Sequence, residues 1–332
     1  MRGNAAKIGT AVCVAFASLA FHALAFVQAH AQDVYPAKPV RMVVPFSPGT
    51  GIDILARTLA QKLPERWKTS VVVDNRPGAS GNIGTEAVAK AAADGYTLLV
   101  TASTIVLNPS LFKLLPYDPV KDFAPVMLLA IGSLALVVHP SLPVKTAKEL
   151  MSFAKARPDE INYASPGNGT PHHLAMEFFK QRAGLRLTHI PYKGTAGALT
   201  DLLAGQVSVM FLPMHVALPY VQGGKLRVLA AGGTRRAAAT PAVPALTEAA
   251  GIGDIDLDIW YAVYAPAGTP PGVIGRLNDE IGAVLRAADV RETLNKQGLL
   301  ATGGTPEQLA EVTRTDLARW GKIVRDARIE PD

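Results

Sequence analysis

Cysteine is almost absent from this sequence: of 332 residues only Cys13 carries a thiol, inside an apolar stretch near the amino terminus. A disulfide framework is therefore excluded, and so are thiolate chemistry and cysteine metal sites in the rest of the chain. A lipid-modified cysteine would need a small residue before it, at the end of a leader. Val12 precedes Cys13 and the apolar stretch runs on, so Cys13 reads as filler. Runs of like charge are missing too. Lys and Arg number 33 against 27 Asp and Glu, and setting aside Arg2 and Lys7 leaves 31 against 27. So mild an excess favours an anionic ligand only weakly and gives no footprint for nucleic acid. Beyond residue 31 no apolar run is long enough to cross a bilayer.

Catalytic signatures are also lacking. There is no G-x-S-x-G elbow. Gly224-Lys225 is followed by Leu226, and Pro219 stands where the first Walker glycine would be, so there is no P-loop. Gly49-x-Gly51 lacks the third glycine of a dinucleotide fingerprint, and Gly78-x-x-Gly81-x-x-Gly84 alone is a weak phosphate cradle. His172 and His173 are adjacent, so they diverge on a helix and offer no metal-binding spacing. The expectation is a protein without catalytic residues, metal or cofactor, and not an enzyme.

What is present begins with a leader. Arg2 and Lys7 give a positive start, residues 8–27 are apolar and uncharged, and Ala29-His30-Ala31 is a small-x-small cleavage signature. A membrane anchor is the competing reading; the cleavage site and the polar, proline-bearing segment after it favour a signal peptide over residues 1–31. The remaining chain is expected to be exported to the periplasm and soluble.

From Pro36 onward, short β-branched runs alternate with helical patterns. Strands are expected over 40–46, 70–74 and 96–101, with a helix over 52–66 and another before the third strand. A second series has strands near 134–139, 161–164, 186–190 and 207–212, separated by helices. The first of these helices opens with the capping box Thr146-x-x-Glu149. A strand over 260–265 precedes a helical tail. Thr269-Pro270 reads as a cap with proline at the first helical position, and Thr305-Pro306 with Gln308 starts the last helix. The patch Ala237–Ala239 reads as a surface loop. Alternation of this kind predicts α/β blocks. The tail has too few strands to stand alone and is expected to pack on the first block. That gives a discontinuous lobe 1 of residues 32–133 and 256–332 and a lobe 2 of 134–255, with chain crossing between them near 134–139 and 260–265.

Three places share a strand, a glycine turn and an immediate helix. They are Ser47-Pro48-Gly49-Thr50-Gly51-Ile52-Asp53, Ser165-Pro166-Gly167-Asn168-Gly169-Thr170-Pro171-His172-His173, and Lys193-Gly194-Thr195-Ala196-Gly197. A fourth, less regular turn is Asn75-Arg76-Pro77-Gly78-Ala79-Ser80-Gly81-Asn82. The first N–H groups of a helix have no partner within it and sit at the positive end of its dipole, which suits an anion. In open parallel sheets such turns lie where ligands bind. One such turn is ordinary architecture; several, split between two blocks, point to a ligand. Asp53, in a first helical turn, is expected to cap backbone N–H groups. One of His172 and His173 is expected to contact ligand or a neighbouring loop, and Lys193 to face the cleft. Arg76 reads as a turn residue as much as a partner for a carboxylate, and Trp260 and Tyr261 as part of a buried strand.

With these turns in view, the sequence resembles the extracytoplasmic solute receptors of tripartite tricarboxylate transporters, the Bug proteins. The resemblance runs through Tyr35-Pro36-x-Lys38-Pro39-Val40, Val44-Pro45-Phe46-Ser47-Pro48-Gly49 and Asn75-Arg76-Pro77-Gly78-Ala79-x-Gly81-Asn82-Ile83-Gly84. It continues at Gly167-Asn168-Gly169-Thr170-Pro171-His172-His173-Leu174, Pro191-Tyr192-Lys193-Gly194-Thr195 and Ala265-Pro266-Ala267-Gly268-Thr269-Pro270. It implies a two-lobed type II periplasmic-binding-protein fold, each lobe a mostly parallel sheet covered by helices, joined by two crossing strands. By position it implies ligand contacts at Ser47, Gly49, Thr50, Ser80, Thr101 and Ser103 in the first lobe. In the second they are Ser165, Asn168, Thr170, Lys193, Gly194, Thr195 and Ala196, to which His172 is added.

The implied function is capture of a small organic carboxylate for membrane subunits of such a transporter, by a monomer. A sensor for a membrane kinase would use the same pocket, and an exported α/β hydrolase is the remaining alternative. Two departures bear on the ligand. Thr50 stands where many relatives have a second glycine, and Leu212-Pro213 where many place an acid facing the cleft. Without that acid an apolar or aromatic acid is expected over an acidic amino acid.

Overall fold

Residues Val40–Val44 form the first strand because their β-branched side chains suit a surface covered on both sides, and four of the five are buried. In the computed structural model, which describes residues 35–192, 194–236, 240–253, 256–326, 329 and 331, this strand (β1) lies inside a six-stranded sheet. Residues 1–31, Lys193 and the patch Ala237–Ala239 fall outside the described residues.

After β1 come α1 (Gly51–Trp67), β2 (Val71–Asn75), α2 (Asn82–Ala89), β3 (Thr97–Ala102), α3 (Thr104–Leu107) and β4 (Phe123–Gly132). Then follow β5 (Leu134–Val138), α4 (Ala147–Lys155), β6 (Asn162–Ser165), α5 (Pro171–Ala183), β7 (Thr188–Pro191), α6 (Thr195–Leu203) and β8 (Val209–Pro213). The remainder is α7 (Met214–Gln222), β9 (Arg227–Ala231), α8 (Leu246–Ala250), β10 (Ile259–Pro266), α9 (Pro271–Arg286), α10 (Ala288–Lys296), β11 (Leu299–Ala301) and α11 (Pro306–Asp326).

The strands form two sheets, ordered β11-β4-β10-β3-β1-β2 and β7-β6-β8-β5-β9. Each is mixed. In the first, β1 is parallel to β2 and β3, while β10 runs antiparallel to β3 and β4, and β11 to β4. In the second, β6 is parallel to β7 and β8, and β5 is antiparallel to β8 and β9. The sheets are thus less parallel than the alternating pattern implied. A parallel pair needs a helical crossover within its own sheet, and β5 and β10 instead arrive from the other one. The chain passes from the first sheet to the second at Ser133 alone, and returns between Gly232 and Asp258.

The carboxyl-terminal helices pack on the first sheet, as expected. Asn278 Nδ2 in α9 donates to Val126 O of β4 at 2.8 Å. Trp260 Nε1 in β10 donates to Asp316 Oδ2 of α11 at 2.7 Å, and Tyr264 Oη shares a 2.7 Å bond with Thr313. Arg66 of α1 pairs with Glu280 of α9. One boundary differs from the sequence reading. The residue before a proline is kept out of the α region, so Pro270 is extended (ψ 137°) and α9 begins at Pro271. The Thr269 hydroxyl, expected to cap the helix, donates instead to Pro266 O at 2.8 Å.

The α11 capping box is formed: Thr305 N donates to Gln308 Oε1 at 2.8 Å, and Gln308 N to Thr305 Oγ1 at 3.3 Å. Thr305→Ala removes the second of these bonds. The expected loss is about 1 kcal/mol, read as a lower urea midpoint at unchanged slope.

Candidate functional site

Because β1, β2 and β3 are parallel, the turns leaving their ends share one edge of the first sheet. The turns leaving β6, β7 and β8 likewise share one edge of the second.

The first turn is held from within. Thr50 caps α1: its Oγ1 accepts from Asp53 N at 3.5 Å and donates to Ser47 O at 3.2 Å. Asp53 is 2% exposed. Its carboxylate accepts from Gly49 N, Arg57 Nε and Asn75 Nδ2, each at 2.9 Å. Burial by itself would raise the Asp53 pKa; the bonds from Arg57, Gly49 and Asn75 together outweigh it and leave the carboxyl below its ordinary value. Asp53 is therefore a cap and clamp. It ties the turn to the end of β2, and it takes the Gly49 amide that could otherwise have met a ligand. Gly49 itself has φ +84°, a left-handed conformation that glycine adopts without strain. Ser47 and Gly49 are exposed, Thr50 half-buried.

The fourth turn stacks on the first. A Cβ on Gly81 would lie 3.0 Å from the Phe46 ring, and one on Gly84 2.8 Å from Arg76 O and Pro45 Cα. Asn108 Nδ2 donates to Ser80 O at 3.1 Å and to Asn82 Oδ1 at 2.6 Å, which fixes the Ser80 backbone and leaves its side chain half-buried at the edge. Arg76 is committed to Asp74 at 2.8 Å. Ser103, buried at the end of β3, donates its N–H to Trp260 O at 2.9 Å. Thr101 sits opposite Ala262, between Trp260 and Tyr264, whose side chains reach α11. Its hydroxyl is buried without a hydrogen-bond partner.

In the second sheet the polar side chains of the turn after β6 mostly serve the protein. The Ser165 hydroxyl is fully buried; it donates to Gly167 O at 3.0 Å and lies 2.7 Å from His189 Nε2. Thr170 caps α5, its Oγ1 accepting from His173 N at 3.4 Å and donating to Gly167 O at 2.8 Å. The two adjacent histidines diverge. His173 Nδ1 accepts from Gly169 N at 3.1 Å, and its ring stacks on His189 at 4.1 Å. His172 has both ring nitrogens buried and unpartnered; burial first, and then His215, push its pKa down to about 4. Asn168 is exposed.

The turn after β7 is joined to this one by Gly194 N donating to Pro166 O at 3.0 Å. Helix α6 starts at Thr195 from Gly194, with no side chain capping it. Helix α7, which follows β8 at Pro213, is uncapped as well. So Thr50 and Thr170 occupy donors at the starts of α1 and α5, whereas no side chain caps α6 or α7; at the start of α7 the Met214 amide donates to Ser133 O at 2.9 Å. Residues far apart in sequence meet beside these turns: a Cβ on Gly169 would lie 2.9 Å from Leu111 Cδ1, and one on Gly298 3.4 Å from His215 N.

Three residues near the site were not among the expected contacts. Tyr261 places its hydroxyl against the start of α1, where a Cβ on Gly51 would come within 2.8 Å of it. Burial, then Asp258, raise its pKa, so it is a neutral phenol. Asp258, beside both passages between the sheets, is pushed up to about 7 by burial and by Asp256. His215 follows Pro213-Met214 at the end of β8, a strand-to-helix junction that could have singled it out. No group of three or more potential metal ligands occurs among the described residues.

The chain matches the family described as Tripartite tricarboxylate transporter family receptor over residues 55–329. It is 39% identical over 296 residues to Protein BugT of Bordetella pertussis, covering 89% of this chain and 90% of that one. Among solved structures it is similar to R. palustris Rpa4515 with adipate (TM-score 0.84, 35% identity, 90% of this chain and 100% of that chain). It is also similar to MatC from Rhodopseudomonas palustris with bound malate (TM-score 0.79, 30% identity, 87% and 100%). The two mixed sheets covered by helices agree with these matches in fold. The chain belongs to the tripartite tricarboxylate transporter receptors, the Bug family, which are solute-binding receptors and not enzymes.

Proposed function

We propose that this protein takes up a small organic carboxylate, mono- or dicarboxylate, in the cleft between lobe 1 (32–133 and 256–332) and lobe 2 (134–255). It works in the periplasm as a monomer and delivers the ligand to membrane subunits of a tripartite tricarboxylate-type transporter. The observation that carries the reading is the uncapped start of α6, at Gly194, Thr195 and Ala196, on the cleft edge of the second sheet. Adipate in Rpa4515 and malate in MatC support a carboxylate as the ligand.

The contacts we assign are Ser47, Ser80 and Ser103 with Thr50 from lobe 1, and Asn168, His172, Gly194, Thr195 and Ala196 from lobe 2; Lys193 keeps its place by sequence position. Gly49, Ser165 and Thr170 are assigned the shaping of their turns, because their polar atoms are used inside the protein. Thr101, whose hydroxyl is buried without a hydrogen-bond partner, keeps its place by sequence position.

Thermal and urea unfolding with adipate, malate and monocarboxylates tests this. A ligand at about 100 times its dissociation constant should add about 2.7 kcal/mol of stability and be recovered unchanged. A panel of mono- and dicarboxylates that leaves stability untouched rejects the proposal. Aspartate or glutamate as the tightest ligand would instead reject the preference for acids without an amine.

A further inference from the structure

His172 and His215 occupy the second positions of α5 and α7, which follow the adjacent parallel strands β6 and β8. Both ring nitrogens of His172 and Nε2 of His215 are buried without a hydrogen-bond partner. An imidazole always presents a donor or an acceptor at each nitrogen, and leaving either buried and unpaired costs free energy that native proteins rarely leave uncompensated. The pair lies at the seam of the lobes. Gly169, at the head of α5, packs on Leu111 of lobe 1, and Gly298 of lobe 1 packs on His215.

Resting on the carboxylate-receptor reading, we propose that His172 and His215 together hold the far carboxylate of a dicarboxylate whose near carboxylate sits at the start of α6, and that a proton from solvent is bound with it. In the unliganded cleft both imidazoles are neutral. Burial pushes each pKa down to about 4, and His215 further disfavours a proton on His172. A carboxylate between them reverses that sign, because an opposite charge favours the imidazolium. The other ionisable groups nearby are engaged elsewhere. His173 bonds Gly169 and stacks on His189, and Glu177 is held by Lys180 and Tyr163. Lys296, before the Gly298 turn, pairs with Glu292. Asp258 is the exception: it bonds Ser133 at the passage between the sheets, but its Oδ1 is buried without a partner and burial pushes its pKa up to about 7. Tyr220, the other ionisable side chain of α7, lies beyond its first turn.

Calorimetry with adipate and hexanoate, acids of equal chain length, tests the proposal in buffers of different ionisation heat. Wild type is expected to bind adipate about tenfold or more tighter than hexanoate, more tightly at about pH 6 than at about pH 8, and with net proton uptake. His172→Leu and His215→Leu should each abolish the preference and the uptake. Ligand-free melting should not fall, since each substitution removes an unpaired polar group. If a leucine variant fails to fold, His172→Gln and His215→Gln keep neutral polarity and should lose the uptake. Preference and uptake unchanged in the variants, or absent in wild type that binds both acids, overturn the histidine pair. Wild type that binds neither acid overturns the receptor reading itself.

Discussion

Asp53→Ala is expected to destabilise the protein by about 3 kcal/mol and to weaken carboxylate binding in parallel. The carboxylate is buried and accepts three hydrogen bonds, from Gly49, Arg57 and Asn75. Its removal strands the Gly49 amide and the Asn75 side chain and releases the turn from the end of β2. Arg57 is more than half exposed, so its share of the ion pair is screened, which keeps the figure below that for a fully buried pair. Urea unfolding reads the stability, and calorimetry with adipate reads the binding.

The same residue gives a pH signature. Its pKa is lower folded than unfolded, so the unfolded chain binds the proton more readily. The stabilisation is complete above the unfolded value, about 4, and is lost as pH falls through the lower folded one. Asp53→Asn should therefore be less stable than wild type at pH 7 and lose less on acidification between about pH 5 and 2. An acid limb identical to that of wild type would mean that Asp53 is not the clamp described.

Gly169→Ala is expected to impair binding more than folding. Gly169 has φ +71°, where alanine carries roughly 1–2 kcal/mol of strain. Its new methyl would also lie 2.9 Å from Leu111 Cδ1, in the segment we propose as lobe 1. Local strain acts whether the lobes are together or apart, whereas the clash is felt only when they meet. Overpacking of this kind costs about 1–3 kcal/mol, or roughly 5- to 150-fold in ligand affinity if closure accompanies binding. Leu111→Val in the same chain shortens the facing side chain and should recover much of that affinity, with a coupling of about 1 kcal/mol in the double-mutant cycle. Full additivity of the two substitutions would show that Gly169 and Leu111 do not meet in the ligand-bound protein.

Much of the fold is legible locally. The strand β1 and the α11 capping box follow from short-range pattern and appear where the residues suggest, whereas the Thr50 and Thr170 caps emerge at residues read from the sequence as ligand contacts. Several elements did not announce themselves, four of them for visible reasons. The strand β4 contains Pro125 and pairs irregularly with β10, so its apolar run lacks alternation. Helix α7 carries Pro219 inside it, β11 is three residues long, and β9 is a short strand paired on one side with β5. Such elements are chosen by the neighbour they pair with and not by their own periodicity.

The candidate site divides the same way. Glycine turns, capping hydroxyls and helix starts are properties of a few consecutive residues, so the sequence by itself determined where anion-binding donors could arise, and its motifs named the family. Which donors remain free was decided only in three dimensions. Asn75 and Arg57 converge with the Gly49 amide on Asp53, His189 meets Ser165 from the next strand, and His173 stacks on His189 while both ring nitrogens of His172 stay buried without a partner. A hydrogen bond satisfied by a residue far along the chain leaves no trace in the local pattern, and neither does one left unsatisfied.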